Sequence, residues 1–198
     1  MKIGIVKYNA GNIESVQNAL NRLAVESVVT DDCRILQTVD KVIFPGVGEA
    51  STAMDYLRER NLDMVIKSLT QPVLGICLGM QLLCEHSEEN DTICLGILPN
   101  KVRKFESELL KIPQIGWNTI KNLKGKLFTD ISENSYVYFV HSYYVEPGVE
   151  LDEKTTATCD YGVEFAAAIK HKNFYATQFH PEKSGKIGEQ ILENFLKI

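Results

Sequence analysis

The chain has 198 residues, 44% hydrophobic and 24% charged, the ordinary proportions of a folded protein with a substantial core. That composition excludes a disordered chain and a disulfide-stapled miniprotein, and the length predicts a single domain over 1–198. The chain carries 26 acidic residues against 21 Lys and Arg, and the net charge of −5 excludes a binder of phosphate backbones, so no nucleic-acid partner is expected.

No apolar run is long enough to span a bilayer, and no membrane partner is expected. The opening stretch Met1-Lys2-Ile3-Gly4-Ile5-Val6 lacks both the apolar length and the small-residue cleavage site of a signal peptide. Cys33, Cys77, Cys84, Cys94 and Cys159 are odd in number and form no CxxC pair, which predicts reduced thiols in a cytoplasm rather than a disulfide framework or a zinc knuckle.

Lys2 to Val6 reads as a buried strand, followed by a turn at Asn9-Ala10-Gly11-Asn12. Ile13, Val16, Leu20 and Leu23 recur at helical spacing and predict a helix over 12–24. Strands are predicted over 25–29 and 41–44, the second ended by Pro45-Gly46-Val47-Gly48, and helices over 49–60 and 64–69. The apolar strand 72–76 runs directly into a helix over 78–84. The second half changes character. Strands are predicted over 101–105, 136–145, 155–159, 164–170 and 174–178, with a hairpin turn at His171-Lys172-Asn173, and Ile187, Ile191, Leu192 and Phe195 mark a last amphipathic helix. The expected fold is α/β: a mostly parallel central sheet with helices on both faces, and antiparallel strands added in the C-terminal half.

The stretch Val73-Leu74-Gly75-Ile76-Cys77-Leu78-Gly79-Met80-Gln81 carries the sharpest chemical signal. G-x-C-x-G at a strand–helix junction is the cysteine form of a nucleophile elbow. Without Cβ atoms, Gly75 and Gly79 let strand and helix approach around a tight turn, which exposes the Cys77 sulfur. A helix N-terminus aimed at that sulfur favours thiolate, and the Leu78 N–H is left to face an oxyanion. A structural cysteine between packing glycines would show the same spacing. Cys84, in the apolar run Leu82-Leu83-Cys84, reads as core.

A cysteine nucleophile needs a base. His180 closes an apolar strand in Thr177-Gln178-Phe179-His180-Pro181-Glu182. Residues two apart on extended chain point the same way, so Glu182 can hold the imidazole in one tautomer and stabilise its charged form. A surface His-Pro-Glu turn is the plain alternative, and no third ligand has spacing that suits a metal. His141 lies mid-strand and reads as a satisfied structural histidine. His86 and His171 fall at an expected helix end and hairpin turn, where solvent exposure accounts for them.

Together, the elbow at Gly75 to Gln81 and Phe179-His180-Pro181-Glu182 resemble the class I (triad) glutamine amidotransferases. Further stretches are similar to the glutaminase-subunit family of imidazole glycerol phosphate synthases: Tyr8-Asn9-Ala10-Gly11-Asn12-Ile13, Pro45-Gly46-Val47-Gly48, Ile115-Gly116-Trp117-Asn118, Tyr138-Phe139-Val140-His141-Ser142-Tyr143 and His180-Pro181-Glu182-Lys183-Ser184. The resemblance runs end to end.

The resemblance implies the amidotransferase fold and a Cys-His-Glu triad. Cys77 would be the nucleophile, passing through a thioester, His180 the general base and acid, and Glu182 its orienting partner. The backbone N–H groups of Val47 and Leu78 would form the oxyanion hole, and the glycines flanking Val47 would allow a peptide flip that switches the hole on and off. Gln81, one helical turn after Cys77, and the backbone of Ser142 and Tyr143 would hold the glutamine substrate. Asn12, Trp117, Tyr138 and Lys183 would lie at the interface with, or gate the response to, a (βα)8-barrel cyclase/synthase subunit in a heterodimer. That partner would use the ammonia to make imidazole glycerol phosphate and aminoimidazole carboxamide ribotide in histidine biosynthesis. No cofactor and no metal are implied.

Gln114 stands where the family often has histidine, Tyr144 where arginine is common and Lys7 where aspartate often occurs; none touches the triad. The same chemistry could also feed a glutaminase relative that aminates a surface-glycan sugar. The Gly-Trp-Asn and Glu-Lys-Ser stretches count against a pyridoxal phosphate branch. A catalytically silent partner subunit is a third reading, and the intact Cys77, His180 and Glu182 argue against it.

Overall fold

The computed structural model describes residues 1–8, 11–146 and 153–198, so Asn9 and Ala10 of the expected first turn lie outside the described residues. Strands β1 (Lys2–Val6), β2 (Glu26–Thr30), β3 (Lys41–Gly46) and β4 (Val73–Cys77) alternate with helices α1 (Ile13–Arg22), α2 (Cys33–Thr38), α3 (Ala50–Glu59), α4 (Leu62–Ser68) and α5 (Leu78–Leu82). There follow two short strands, β5 (His86–Ser87) and β6 (Thr92–Ile93), then β7 (Lys101–Lys104), β8 (Gln114–Ile120), β9 (Ser135–His141), β10 (Tyr143–Val145), β11 (Thr155–Asp160), β12 (Glu164–His171), β13 (Phe174–Thr177) and helix α6 (Gly185–Lys197).

The central sheet has the order β11-β12-β13-β4-β3-β1-β2. Strands β13, β4, β3, β1 and β2 run parallel, while β11 and β12 are added antiparallel at the edge. Side chains alternate across it. Ile3, Ile5, Ile43, Leu74 and Ile76 pack on one face with Val16 and Leu20 of α1 and Ile191 and Phe195 of α6. Val6, Val42, Phe44 and Val73 pack on the other with Leu36 of α2, Met54 and Leu57 of α3 and Ile66 of α4. Burial on both faces is why these strands read as unbroken apolar runs. Among the described residues no helix is long and apolar enough to cross a membrane.

The structure departs from the sequence expectation at particular elements. The short helix α2 was not anticipated; it starts at Asp32, whose carboxylate accepts the N–H groups of Arg34 and Ile35 at 2.8 and 3.4 Å. Strand β8 was missed too, because Gly116 and Asn118 interrupt its apolar pattern; pairing with β9, from Gln114↔His141 to Ile120↔Ser135, makes it a strand. The strand expected over 136–145 is two. It breaks at Ser142, whose carbonyl accepts the Phe105 N–H at 3.0 Å, and the chain leaves β8 to pair with β7. The helix expected over 78–84 ends at Leu82. His86 lies in the short strand β5 rather than at a helix end, 2.7 Å from Asp91.

Candidate active site

The C-terminal ends of β3, β4 and β13 meet at one edge of the sheet, the place where open α/β sheets present ligands. Cys77 is the last residue of β4, pairs with Gly46 of β3, and leads straight into α5. Its φ of 52° and ψ of −107° lie in a region that side chains rarely adopt, the strained turn of a nucleophile elbow. Gly79 makes that turn possible, because a Cβ there would sit 1.9 Å from the Phe44 carbonyl oxygen. The Cys77 sulfur is nearly buried, 3.7 Å from the Val140 carbonyl and 3.5 Å from Nε2 of Gln178.

His180 follows β13 and is fully buried; its N–H donates to the Tyr138 carbonyl at 2.9 Å. Nδ1–H donates to Oε1 of Glu182 at 2.7 Å, and Ser184 Oγ donates to the His180 carbonyl at 2.6 Å. The same Glu182 oxygen accepts from Asn12 Nδ2 at 3.0 Å. Nε2 of His180 has no hydrogen-bond partner of ordinary geometry among the described residues. Burial lowers the basicity of this imidazole, but the nearby Cys77 sulfur and the Glu182 carboxylate outweigh it and raise the pKa to about 10.

A cavity of about 250 Å³ opens over the elbow. Val47, Cys77, Leu78, Gln81, Ser142 and Tyr143 all line it, so six of the sequence-expected residues converge on one space. His180 and Glu182 do not line it; they stand behind Cys77 in the core. Gly48, at a φ of 121°, closes the loop after Val47, and Tyr8 anchors the loop's base by donating its hydroxyl to the Pro45 carbonyl at 2.5 Å. Burial and the Cys77 sulfur hold the Tyr8 phenol well above its ordinary pKa.

Asn12 is only 2% exposed, and its side chain is committed to Glu182, an inward position that the expected interface role did not include. Trp117 and Tyr138 pair across β8 and β9 with their rings edge to face at 6.0 Å, outside the cavity, and Lys183 is exposed in the turn after Pro181. His141 is satisfied as expected. Its Nδ1–H donates to the Tyr143 carbonyl at 2.7 Å, Nε2 lies 3.0 Å from the Gln114 side chain, and burial pushes its pKa down to about 4.

Two residues near the cavity escaped the sequence reading. Glu89 lines it, with its carboxylate accepting the Ala50 N–H at 2.7 Å; burial raises its pKa. Gln178 is fully buried against Cys77 and Gln81. Glu89 carries no local signal in the sequence. Gln178 lies two residues before His180, in the segment just after β13, and that spacing from the histidine is the available clue.

An edge-of-sheet elbow cysteine with a buried His-Glu pair behind it defines a class of enzyme. The glutamine amidotransferase class-I family model matches residues 5–198, and the chain belongs to that family. Imidazole glycerol phosphate synthase subunit HisH of Bacteroides fragilis is 55% identical over 200 residues, covering 100% of both chains. The same subunit of Idiomarina loihiensis is 44% identical, covering 100% of this chain and 98% of that protein. Likeness of this degree over full length shows the finer family as well, the HisH subunits of imidazole glycerol phosphate synthase. A crystallised glutamine amidotransferase superposes with a TM-score of 0.75 at 18% identity, covering 98% of this chain and 97% of that one. Another, from Thermotoga maritima, gives 0.67 at 16% identity, covering 100% and 83%; both likenesses concern the fold alone.

Proposed function

We propose that the chain is the glutaminase subunit of an imidazole glycerol phosphate synthase, that Cys77, His180 and Glu182 are its catalytic triad, and that it works on a (βα)8-barrel partner in histidine biosynthesis. The observation that carries the triad is the tethering of His180 Nδ1 to Glu182 at 2.7 Å, which leaves Nε2 as the only nitrogen free to exchange a proton at the sulfur.

The Cys77 thiolate attacks the side-chain carbonyl carbon of glutamine, and the tetrahedral oxyanion is held by the N–H groups of Leu78 and Val47. His180 delivers a proton to the departing ammonia, leaving a glutamyl thioester. It then takes a proton from the water that hydrolyses this ester to glutamate and free Cys77. Losing one oxyanion donor typically costs about 3 kcal/mol in the barrier, so a peptide flip at Val47 gives strong control. Gln81, Ser142, Tyr143 and Glu89 line the cavity; on this reading they would hold the amino-acid end of glutamine, with the Glu89 carboxylate taking the α-ammonium group.

Ammonia near neutral pH is mostly protonated and no longer nucleophilic, so it has to pass to its acceptor under cover. Ile115 and Trp117 of β8 and Tyr136 and Tyr138 of β9 alternate outward on one face of their hairpin, and Ile115, Trp117 and Tyr136 are each more than half exposed. On this reading the barrel subunit covers that face. The test is glutamate release from glutamine by wild-type and Cys77→Ala protein, alone and with the barrel synthase and its nucleotide. Activity that requires partner and nucleotide and vanishes in Cys77→Ala supports the proposal; silence with a verified synthase contradicts the histidine-pathway partner.

A further inference from the structure

The side chain of Gln178 is 0% exposed, belongs to no recognised part of the triad, and touches the reacting sulfur. Its surroundings fix which way its amide points. The Tyr143 carbonyl can only accept, so Gln81 must present its NH2 group there, at 2.9 Å. The same Gln81 nitrogen lies 3.0 Å from the Gln178 side chain, which must therefore offer its oxygen. That leaves the Gln178 NH2 group facing Cys77, with Nε2 3.5 Å from Sγ. The polarity of the chain runs from a backbone carbonyl that cannot be reversed to the sulfur, through two buried amides. Both N–H bonds of Gln81 are used in it, so Gln81 Oε1 is the group left to accept from a ligand in the cavity.

We propose that Gln178 is a thiolate-holding residue: its amide N–H stabilises the anionic sulfur of Cys77 and ties it to Gln81, so that binding of an amino-acid ammonium at Gln81 Oε1 and the state of the sulfur are linked through one hydrogen-bonded chain. The proposal rests on Cys77 being the nucleophile. A thiol can accept this bond only weakly, whereas a thiolate accepts it fully, so the interaction favours the reactive form. The other polar neighbour of the sulfur, the Val140 carbonyl at 3.7 Å, can accept S–H but repels the anion.

The test is the pH dependence of Cys77 alkylation by iodoacetamide in the full chain, followed by mass spectrometry of the Cys77 peptide, together with glutamine turnover in the complex with the barrel synthase. Two variants are compared with wild type. Gln178→Met keeps the length and removes the donor. Gln178→Glu keeps the acceptor for Gln81 and places a carboxylate at the sulfur. Alkylation slowed about tenfold at neutral pH, with the profile displaced to higher pH in either folded variant, supports the proposal. Profiles that superimpose on wild type in both overturn it, because a merely structural amide would alter stability and leave the titration in place. Failure of the underlying reading looks different: glutamine turnover would then survive in Cys77→Ala.

Discussion

The imidazole of His180 is held between the Cys77 sulfur and the Glu182 side chain, and this sets how the folded protein responds to pH. Its pKa is raised from the ordinary 6.5 to about 10 by the Cys77 sulfur and Glu182 against the opposing effect of burial. A raised pKa contributes stability that is fully present below 6.5 and is lost as the pH climbs toward 10. The melting temperature of wild type should therefore fall over that window, and Cys77→Ala should fall less steeply; parallel curves would remove the sulfur from the account. His141 acts in the opposite sense. Its pKa is lowered to about 4, so its contribution is present above 6.5 and lost as the pH drops. At the proposed substrate end, Glu89→Gln keeps the size of the side chain and removes the carboxylate that the proposal sets against the ammonium group. We expect KM for glutamine to rise about tenfold with kcat nearly unchanged, the signature of lost uniform binding, measured with the partner present. An unchanged KM would place the ammonium elsewhere.

At the scale of elements, the elbow cysteine and the His180–Glu182 pair proposed as the triad stand out because their signals are local. Cys77 announces itself through Gly75 and Gly79 on a strand–helix junction; His180 and Glu182 are neighbours as expected, but across the 3-10 turn Pro181–Lys183 rather than on extended chain. Strands β1, β3, β4 and β13 were legible because burial on both faces leaves apolar runs. Strand β8 was not, since its order comes from β9 rather than from its own pattern, and Glu89 was not, since only the fold brings it beside the α3 N-terminus. The break at Ser142 was hidden because β9 and β10 are both apolar and only their partners differ. One tertiary constraint has a direct consequence. Helix α6 packs so closely under the His-Pro-Glu turn that a Cβ on Gly188 would lie 1.9 Å from the Pro181 carbonyl oxygen. Gly188→Ala is expected to lose about 3 kcal/mol in denaturant unfolding, and to lower kcat because Pro181 joins the two triad residues. Wild-type stability and rate in this variant would show that the turn is free to shift.

The molecule as a whole is asymmetric. One side of the β8–β9 hairpin packs Val137 and Phe139 into the core, and the other presents Ile115, Trp117, Tyr136 and Tyr138 outward. The face connects to the site through backbone: Tyr138 accepts from the His180 N–H and donates to Ser184 Oγ at 2.9 Å, and the Val140 carbonyl lies against the Cys77 sulfur. Two residues of one strand, Tyr138 and Val140, thus join the hairpin to His180 and Cys77. Trp117 is 55% exposed, so Trp117→Ala should leave the melting temperature unchanged yet weaken binding of the barrel synthase by about 2 kcal/mol, read by calorimetry. Unchanged affinity would move the interface off this face. The most direct test of the account is to quench the complex during turnover of glutamine and map the covalent glutamyl group by mass spectrometry. The account predicts a thioester on Cys77, accumulating when hydrolysis is slowed; a glutamyl group on another side chain, or steady turnover in Cys77→Ala, would contradict it.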